Sequence, residues 1–132
     1  MNNILERYYQ CFNNGAYTGM LELLAEDVLH EPCQGAPRIG KHKFTEFLQH
    51  MERCYLEQVH NPCIFYSADG KHAAAEFELT GTYLVTDGEL PPAHGQTYRL
   101  RVGTFFEIEA GRIKRVTNHY NLENWLQQIS RA

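Results

Sequence analysis

The sequence lacks the long apolar runs of a membrane protein, and it has few basic residues. No run approaches the ~20 apolar residues that a membrane-spanning helix needs, and the first ten residues, MNNILERYYQ, lack a basic segment followed by an apolar one. Twelve Lys and Arg stand against 16 Asp and Glu, giving a net charge of −4. The broad basic surface of a nucleic-acid binder is therefore not expected. We predict a cytoplasmic protein with neither a membrane nor a nucleic-acid partner.

The spacing of the cysteines does not indicate a metal site or a disulfide framework. The four cysteines form no CxxC pair, and in a chain without a signal peptide they are expected to be reduced thiols. His50 and Cys54 have the i, i+4 spacing that places two ligands on one helical face. No third partner follows at a recognisable spacing. The sequence thus predicts no metal and no cofactor.

Length and hydrophobic periodicity predict a single α+β domain over residues 1–132. With 43% hydrophobic residues, the chain can bury a core without covalent or metal staples. Helical spacing runs from Ile4 to Asn14, and again over 44–55 and 122–129. Period-two alternation follows from Ala75 to Tyr83 and from Arg99 to Ile108, typical of half-buried antiparallel strands. The order is helices, a hairpin, long strands and a closing helix.

Three stretches carry a resemblance to a known family. They are YYQCFNNG (residues 8–15), LAEDVLHEP (24–32) and GRIKRVTNHYNL (111–122). Together with the element order, they resemble the ketosteroid isomerase-related and SnoaL-like branch of the nuclear transport factor 2-like superfamily. The resemblance implies a cone-shaped fold, with a strongly bent antiparallel sheet wrapped around N-terminal helices, a short C-terminal helix and an apolar pocket. One fold serves many chemistries, so it does not fix the function.

The resemblance also implies catalytic residues. Glu31 stands before a proline where the isomerases place an Asp as general base, and burial would raise its pKa towards a useful value. Tyr8 matches the tyrosine that hydrogen-bonds the developing enolate oxygen. Thr104 replaces a protonated Asp, which argues against efficient steroid isomerisation. Asn118 stands near the acidic base of the cyclases, but an amide can only orient a substrate carbonyl.

Two functions remain open from the sequence. The first is a cofactor-free enzyme that removes a proton next to a carbonyl of a small apolar cyclic molecule, as an isomerase or polyketide cyclase, with Glu31, Tyr8 and Asn118 catalytic. The residues expected to bind the substrate are Thr104, Tyr120, Tyr83, Phe106, Val102, Phe77, Tyr55 and His30. The second is a non-catalytic domain that binds an apolar ligand or a partner protein. In either case we predict a homodimer formed through outward strand residues such as Arg99, Arg101 and Phe105.

Overall fold

The computed structural model describes residues 3–131, with helices first, long strands later and a closing helix. The helices are α1 (Ile4–Asn13), α2 (Tyr17–Glu22), α3 (Lys41–Cys54) and α4 (Leu122–Ile129). The strands are β1 (Leu24–Glu31), β2 (Arg38–Ile39), β3 (Tyr55–Tyr66), β4 (His72–Tyr83), β5 (Thr97–Glu109) and β6 (Arg112–Tyr120). None of these helices has both the length and the apolar character needed to cross a bilayer.

The strands form one curled, unclosed sheet in the order β2-β1-β6-β5-β4-β3. Neighbouring strands are antiparallel except β1 and β6, which run parallel, with Glu31 opposite Thr117. The prediction of an α+β fold with a bent antiparallel sheet is confirmed, and the parallel pairing of β1 with β6 is a departure that the prediction did not include. The long connection from β1 to β6, which includes α3 and four strands, allows the parallel arrangement.

The inner face of the sheet packs against the helices. In β4 the side chains of Ala73, Ala75 and Phe77 are buried, while those of Glu76 and Glu78 point outward. Helix α1 covers this face with four buried side chains, those of Ile4, Leu5, Tyr8 and Tyr9. The apolar face of the sheet and the apolar face of helix α1 therefore pack together into a common core.

Strand β3 begins one residue after helix α3 ends. The apolar stripe predicted a helix that includes Tyr55, but the helix stops at Cys54 and Tyr55 is extended, with φ −138° and ψ 149°. Strand β3 was hidden in the sequence because Leu56 faces outward and is 61% exposed. Consequently Tyr55, Glu57 and Val59 share the inner face.

The free edge of β3 is held by the end of helix α1. The Asn13 side chain donates from Nδ2 to the Val59 carbonyl at 2.9 Å and accepts from the Val59 amide at 2.8 Å. Further along, a bulge between His60 and Cys63 interrupts the pairing of β3 with β4. These contacts fix the strand that carries Glu57.

Candidate functional site

A cavity of about 340 Å³ lies between the inner face of the sheet and the helices. Its lining is mainly aromatic and aliphatic, and includes Phe12, Phe47, Leu100 and Trp125. The volume lies at the lower end of the range for small-molecule sites, ~300–1,000 Å³. The cavity has room for a ligand of one or two rings.

Most of the residues that the sequence singled out line this cavity. Those residues are Tyr8, His30, Tyr55, Phe77, Val102, Thr104, Asn118 and Tyr120. They come from α1, β1, β3, β4, β5 and β6. The fold thus brings together side chains that are distant in sequence, although their roles remain predictions.

Glu31 does not line the cavity, so its expected position is wrong. Its neighbour His30 points inward and is 1% exposed, and successive residues of a strand face opposite sides. On the other side, Glu31 Oε1 accepts a hydrogen bond from Thr117 Oγ1 at 2.7 Å, and Thr117 Oγ1 accepts one from Arg115 Nη1 at 2.6 Å. Glu31 therefore belongs to a polar chain outside the cavity.

Phe106 and Tyr83 also lie outside the lining, in contrast to the prediction. Phe106 is fully buried and packs edge-on against Tyr8, with ring centroids 5.6 Å apart. Tyr83 stacks on Tyr55 at 5.4 Å and donates its hydroxyl proton to the Pro91 carbonyl at 2.7 Å. Both side chains are buried in the core and pack against residues that line the cavity, Phe106 against Tyr8 and Tyr83 against Tyr55.

One of the carboxylates that do line the cavity belongs to Glu57. Its Oε2 accepts a hydrogen bond from the Tyr98 hydroxyl at 2.5 Å. Glu57 is half-buried and lines the cavity. Desolvation of the carboxylate raises its pKa from 4.5 to about 7, although the Tyr98 hydrogen bond lowers it in part. A carboxyl with such a pKa exchanges its proton near neutral pH.

A glycine between the two side chains makes the Glu57 to Tyr98 contact possible. Gly81 in β4 pairs with Glu57 on one side and with Tyr98 on the other. A Cβ atom at Gly81 would lie 2.2 Å from Cζ of Tyr98, far inside van der Waals contact. The missing side chain lets the Tyr98 ring cross β4 and reach the carboxylate.

A second carboxylate, Asp87, lies at the cavity beside α3. The Tyr55 hydroxyl donates to Oδ2 at 2.6 Å, and Oδ1 lies 2.8 Å from Nε2 of His50. Cys54 completes a group of three potential metal ligands whose ligand atoms lie within 4.8 Å of one another. The sequence spacing pointed to His50 and Cys54 but gave no third partner, whereas the fold supplies one from the loop after β4.

Polar groups of α1, β5 and β6 meet at one part of the cavity wall. The Tyr9 hydroxyl lies 2.6 Å from Thr104 Oγ1, and Thr104 pairs directly with Asn118 between β5 and β6. Burial raises the pKa of Tyr8 and of Tyr9, so both phenols stay protonated. This part of the wall offers hydrogen-bond donors to a ligand oxygen.

Sequence reasoning missed Glu57, Asp87 and Arg38, all of which line the cavity. Glu57 had a signal, since it alternates with Tyr55 and Val59 and is the charged member of that face. Its outward neighbour Leu56 concealed the alternation. Asp87 lies in the loop after β4, and Arg38 lies in β2, which has only two residues. Neither segment is long enough and regular enough for periodicity to indicate the direction of a side chain.

Comparisons with known proteins agree with this architecture. Residues 5–116 match the model of the SnoaL-like domain. A candidate polyketide cyclase from Pseudomonas putida is 45% identical, with 97% of this chain and 96% of that chain covered and a TM-score of 0.95. A candidate polyketide cyclase from Silicibacter is also 45% identical with a TM-score of 0.95, and the match covers 98% of this chain and 95% of that chain.

A more distant relative is a candidate ketosteroid isomerase from Kribbella flavida. It is 26% identical, with 91% of this chain and 76% of that chain covered and a TM-score of 0.63. No match was found among curated proteins. The family model spans most of the chain and agrees with the solved structures that are 45% identical, so the chain belongs to the SnoaL-like domain family.

Proposed function

We propose that this protein is an enzyme that removes a proton next to a carbonyl group of a small apolar cyclic substrate. The reaction is of the isomerase or polyketide-cyclase type. The observation that carries the proposal is the Glu57 carboxylate, which faces a mainly apolar cavity and is held by Tyr98. In this proposal Glu57, and not Glu31, is the general base.

Glu57 has the properties that a general base needs. Its pKa of about 7 leaves a large fraction ionised at neutral pH while keeping the carboxylate basic enough to take a proton. Tyr98 holds Oε2, and the Oε1 atom is left for the substrate. A buried base with one fixed oxygen is oriented before the substrate arrives, which reduces the entropic cost of the proton transfer.

The polar part of the wall provides for the enolate that forms when the proton leaves. Negative charge then develops on the substrate oxygen, and preorganised donors in a cavity stabilise it. Tyr8, Asn118 and the hydroxyl pair of Tyr9 and Thr104 are the available groups. Neither phenol ionises near neutral pH, because burial raises both pKa values.

The similar structures support this reaction class. The Pseudomonas and Silicibacter proteins are described as candidate polyketide cyclases, and polyketide cyclisation starts by forming a carbanion next to a carbonyl. A domain that only binds an apolar ligand would have no need of a carboxylate with a raised pKa. The position of Glu57 therefore favours catalysis over binding alone.

The test measures exchange of the protons next to the carbonyl of 1-tetralone in D₂O by NMR. We expect the native protein to accelerate this exchange and Glu57→Gln to lower the enzymatic rate about 10²-fold or more, the usual contribution of a positioned base. Glu31→Gln tests whether Glu31 or Glu57 is the general base. If Glu57 is the base, this variant should retain the exchange activity. Glu76→Gln is the matched control on the outer face, where Glu76 pairs with Arg101.

Two results would contradict the proposal. One is exchange at the uncatalysed rate in the presence of native protein, which would favour the binding function. The other is a Glu31→Gln variant that loses activity while Glu57→Gln keeps it, which would return the role of base to Glu31.

A further inference from the structure

The cavity has a basic group at the β1 and β2 edge of the sheet. His30 and Arg38 are direct partners in the short antiparallel ladder between these strands, and both line the cavity. Side chains of directly opposed residues lie close together, with Cβ atoms ~5 Å apart. Phe47 contacts both, since its ring centroid lies 4.5 Å from that of His30 and 5.3 Å from the Arg38 guanidinium carbon.

Both side chains have polar atoms without partners. His30 is 1% exposed, and neither Nδ1 nor Nε2 has a hydrogen-bond partner among the described residues. Nη1 of Arg38 is also buried and has no hydrogen-bond partner within residues 3–131. Buried polar atoms are almost always satisfied, and one left alone costs ~1–3 kcal/mol. Three such atoms close together on the cavity wall indicate a polar ligand group there. An acceptor group of the ligand can pair with two of them, the Arg38 Nη1 donor and the protonated ring nitrogen of a neutral His30.

Arg38 has no counterion within residues 3–131. The ion pairs found there involve other residues, and the groups that shift the Glu57 pKa do not include Arg38. The contact of the guanidinium with the Phe47 ring supplies no oxygen acceptor, so Nη1 stays without a hydrogen-bond partner among the described residues. A guanidinium at an apolar cavity is costly unless an anion pairs with it.

We propose that the substrate carries a carboxylate, bound by Arg38 through Nη1 and by His30 through a ring N–H. This inference rests on the proposed function, and it adds the class of substrate: a ring system with an acid group at one end and a reactive carbonyl at the other. A planar anion matches the fork of guanidinium donors. Burial and the nearby Arg38 cation lower the pKa of His30 to about 4, so the imidazole is neutral and donates through one nitrogen.

The arrangement also explains how one cavity holds both an anion and a catalytic carboxylate. Arg38 and His30 lie on β2 and β1, at one edge of the sheet, while Glu57 lies on β3, at the other edge. Repulsion between two anions falls with distance. A substrate that spans the cavity keeps its acid group at Arg38 and presents its carbonyl side to Glu57.

The test compares two probes of the same shape by isothermal titration calorimetry: the anion 2-naphthoate and the neutral amide 2-naphthamide. We expect the native protein to bind the acid at least tenfold more tightly than the amide. Arg38→Gln should weaken binding of 2-naphthoate about tenfold to a hundredfold, as for a charge-assisted hydrogen bond, and change binding of 2-naphthamide by less than about threefold. Arg99→Gln, on the outer face where Arg99 pairs with Glu78, is the matched control.

Because binding needs no proton transfer, this test is independent of the one for Glu57. The proposal is overturned if the native protein shows no preference for the acid, including the case in which neither probe binds. It is also overturned if Arg38→Gln weakens both probes equally, which would indicate a role in packing. Arg38→Lys, which keeps the charge but not the fork, checks this if Arg38→Gln does not fold, and it should retain part of the preference.

Discussion

Replacing Glu57 by Gln should change the free energy of unfolding in a pH-dependent way. Burial raises the Glu57 pKa from 4.5 to about 7, so the folded protein holds this proton more tightly than the unfolded chain does. Such a group stabilises the fold fully below pH 4.5, and the contribution is lost as pH rises through 7. The loss corresponds to at most about 3 kcal/mol. We expect about 1 to 3 kcal/mol, because Glu57 is partly accessible.

Glu57→Gln has no proton to lose, so it should be more stable than the native protein at pH 8 and close to it at pH 5. Gln can still accept the Tyr98 hydrogen bond. The measurement is urea unfolding at several pH values, followed by the fluorescence of Trp125, the only tryptophan. At each pH, the free energy of unfolding of the native protein is subtracted from that of Glu57→Gln.

Subtracting the two free energies of unfolding also cancels the contribution of His30, whose pH dependence has the opposite sign to that of Glu57. Its pKa is lowered to about 4, so its contribution to stability is present above pH 6.5 and is lost as pH falls through 4. Native and variant proteins share this loss. Glu76→Gln, at an exposed position on the outer face, should show no comparable pH dependence. A stability difference that stays constant from pH 5 to 8 would refute the burial argument for Glu57.

Three further outcomes can be checked. Gly81→Ala places a methyl group 2.2 Å from the Tyr98 ring and should lower the free energy of unfolding by about 1 to 3 kcal/mol. The control is Gly103→Ala, because a Cβ atom at Gly103 would have nothing within 4 Å. It should have little effect in the same urea titration. Phe105 is 48% exposed on the outer sheet face, and if this face forms the homodimer we propose, Phe105→Asp should halve the mass measured by sedimentation. Asp87→Asn weakens the side-chain hydrogen bonds from Asp87 to His50 and Tyr55, which are two of those that hold its loop, so hydrogen exchange across residues 84–96 should become faster.

The fold could be predicted because local patterns and packing agree over most of the chain. Helices α1 and α3 have apolar stripes at helical spacing, and β4 and β5 alternate with period two. The parallel pairing of β1 with β6 could not be predicted, since no local pattern states which strands become neighbours. The sequence contains the strands but not their order in the sheet.

The candidate site was harder to predict, for a physical reason. A functional cavity places polar side chains on the inner face, and this breaks the pattern from which direction is inferred. In β3 an outward Leu56 and an inward Glu57 reverse the usual arrangement. In β1 the alternation gave no way to choose between His30 and Glu31, and only the packing of His30 against Phe44 and Phe47 decides it.

The contact between Asn13 and Val59 also bears on how the protein avoids aggregation. An unclosed sheet leaves the backbone of β3 able to recruit a strand from another molecule. By donating to the Val59 carbonyl and accepting from its amide, the Asn13 carboxamide imitates one residue of a neighbouring strand and occupies that position. The bulge between His60 and Cys63 then disrupts the register further along. A helix terminus and a bulge thus protect an edge strand of 12 residues from intermolecular pairing.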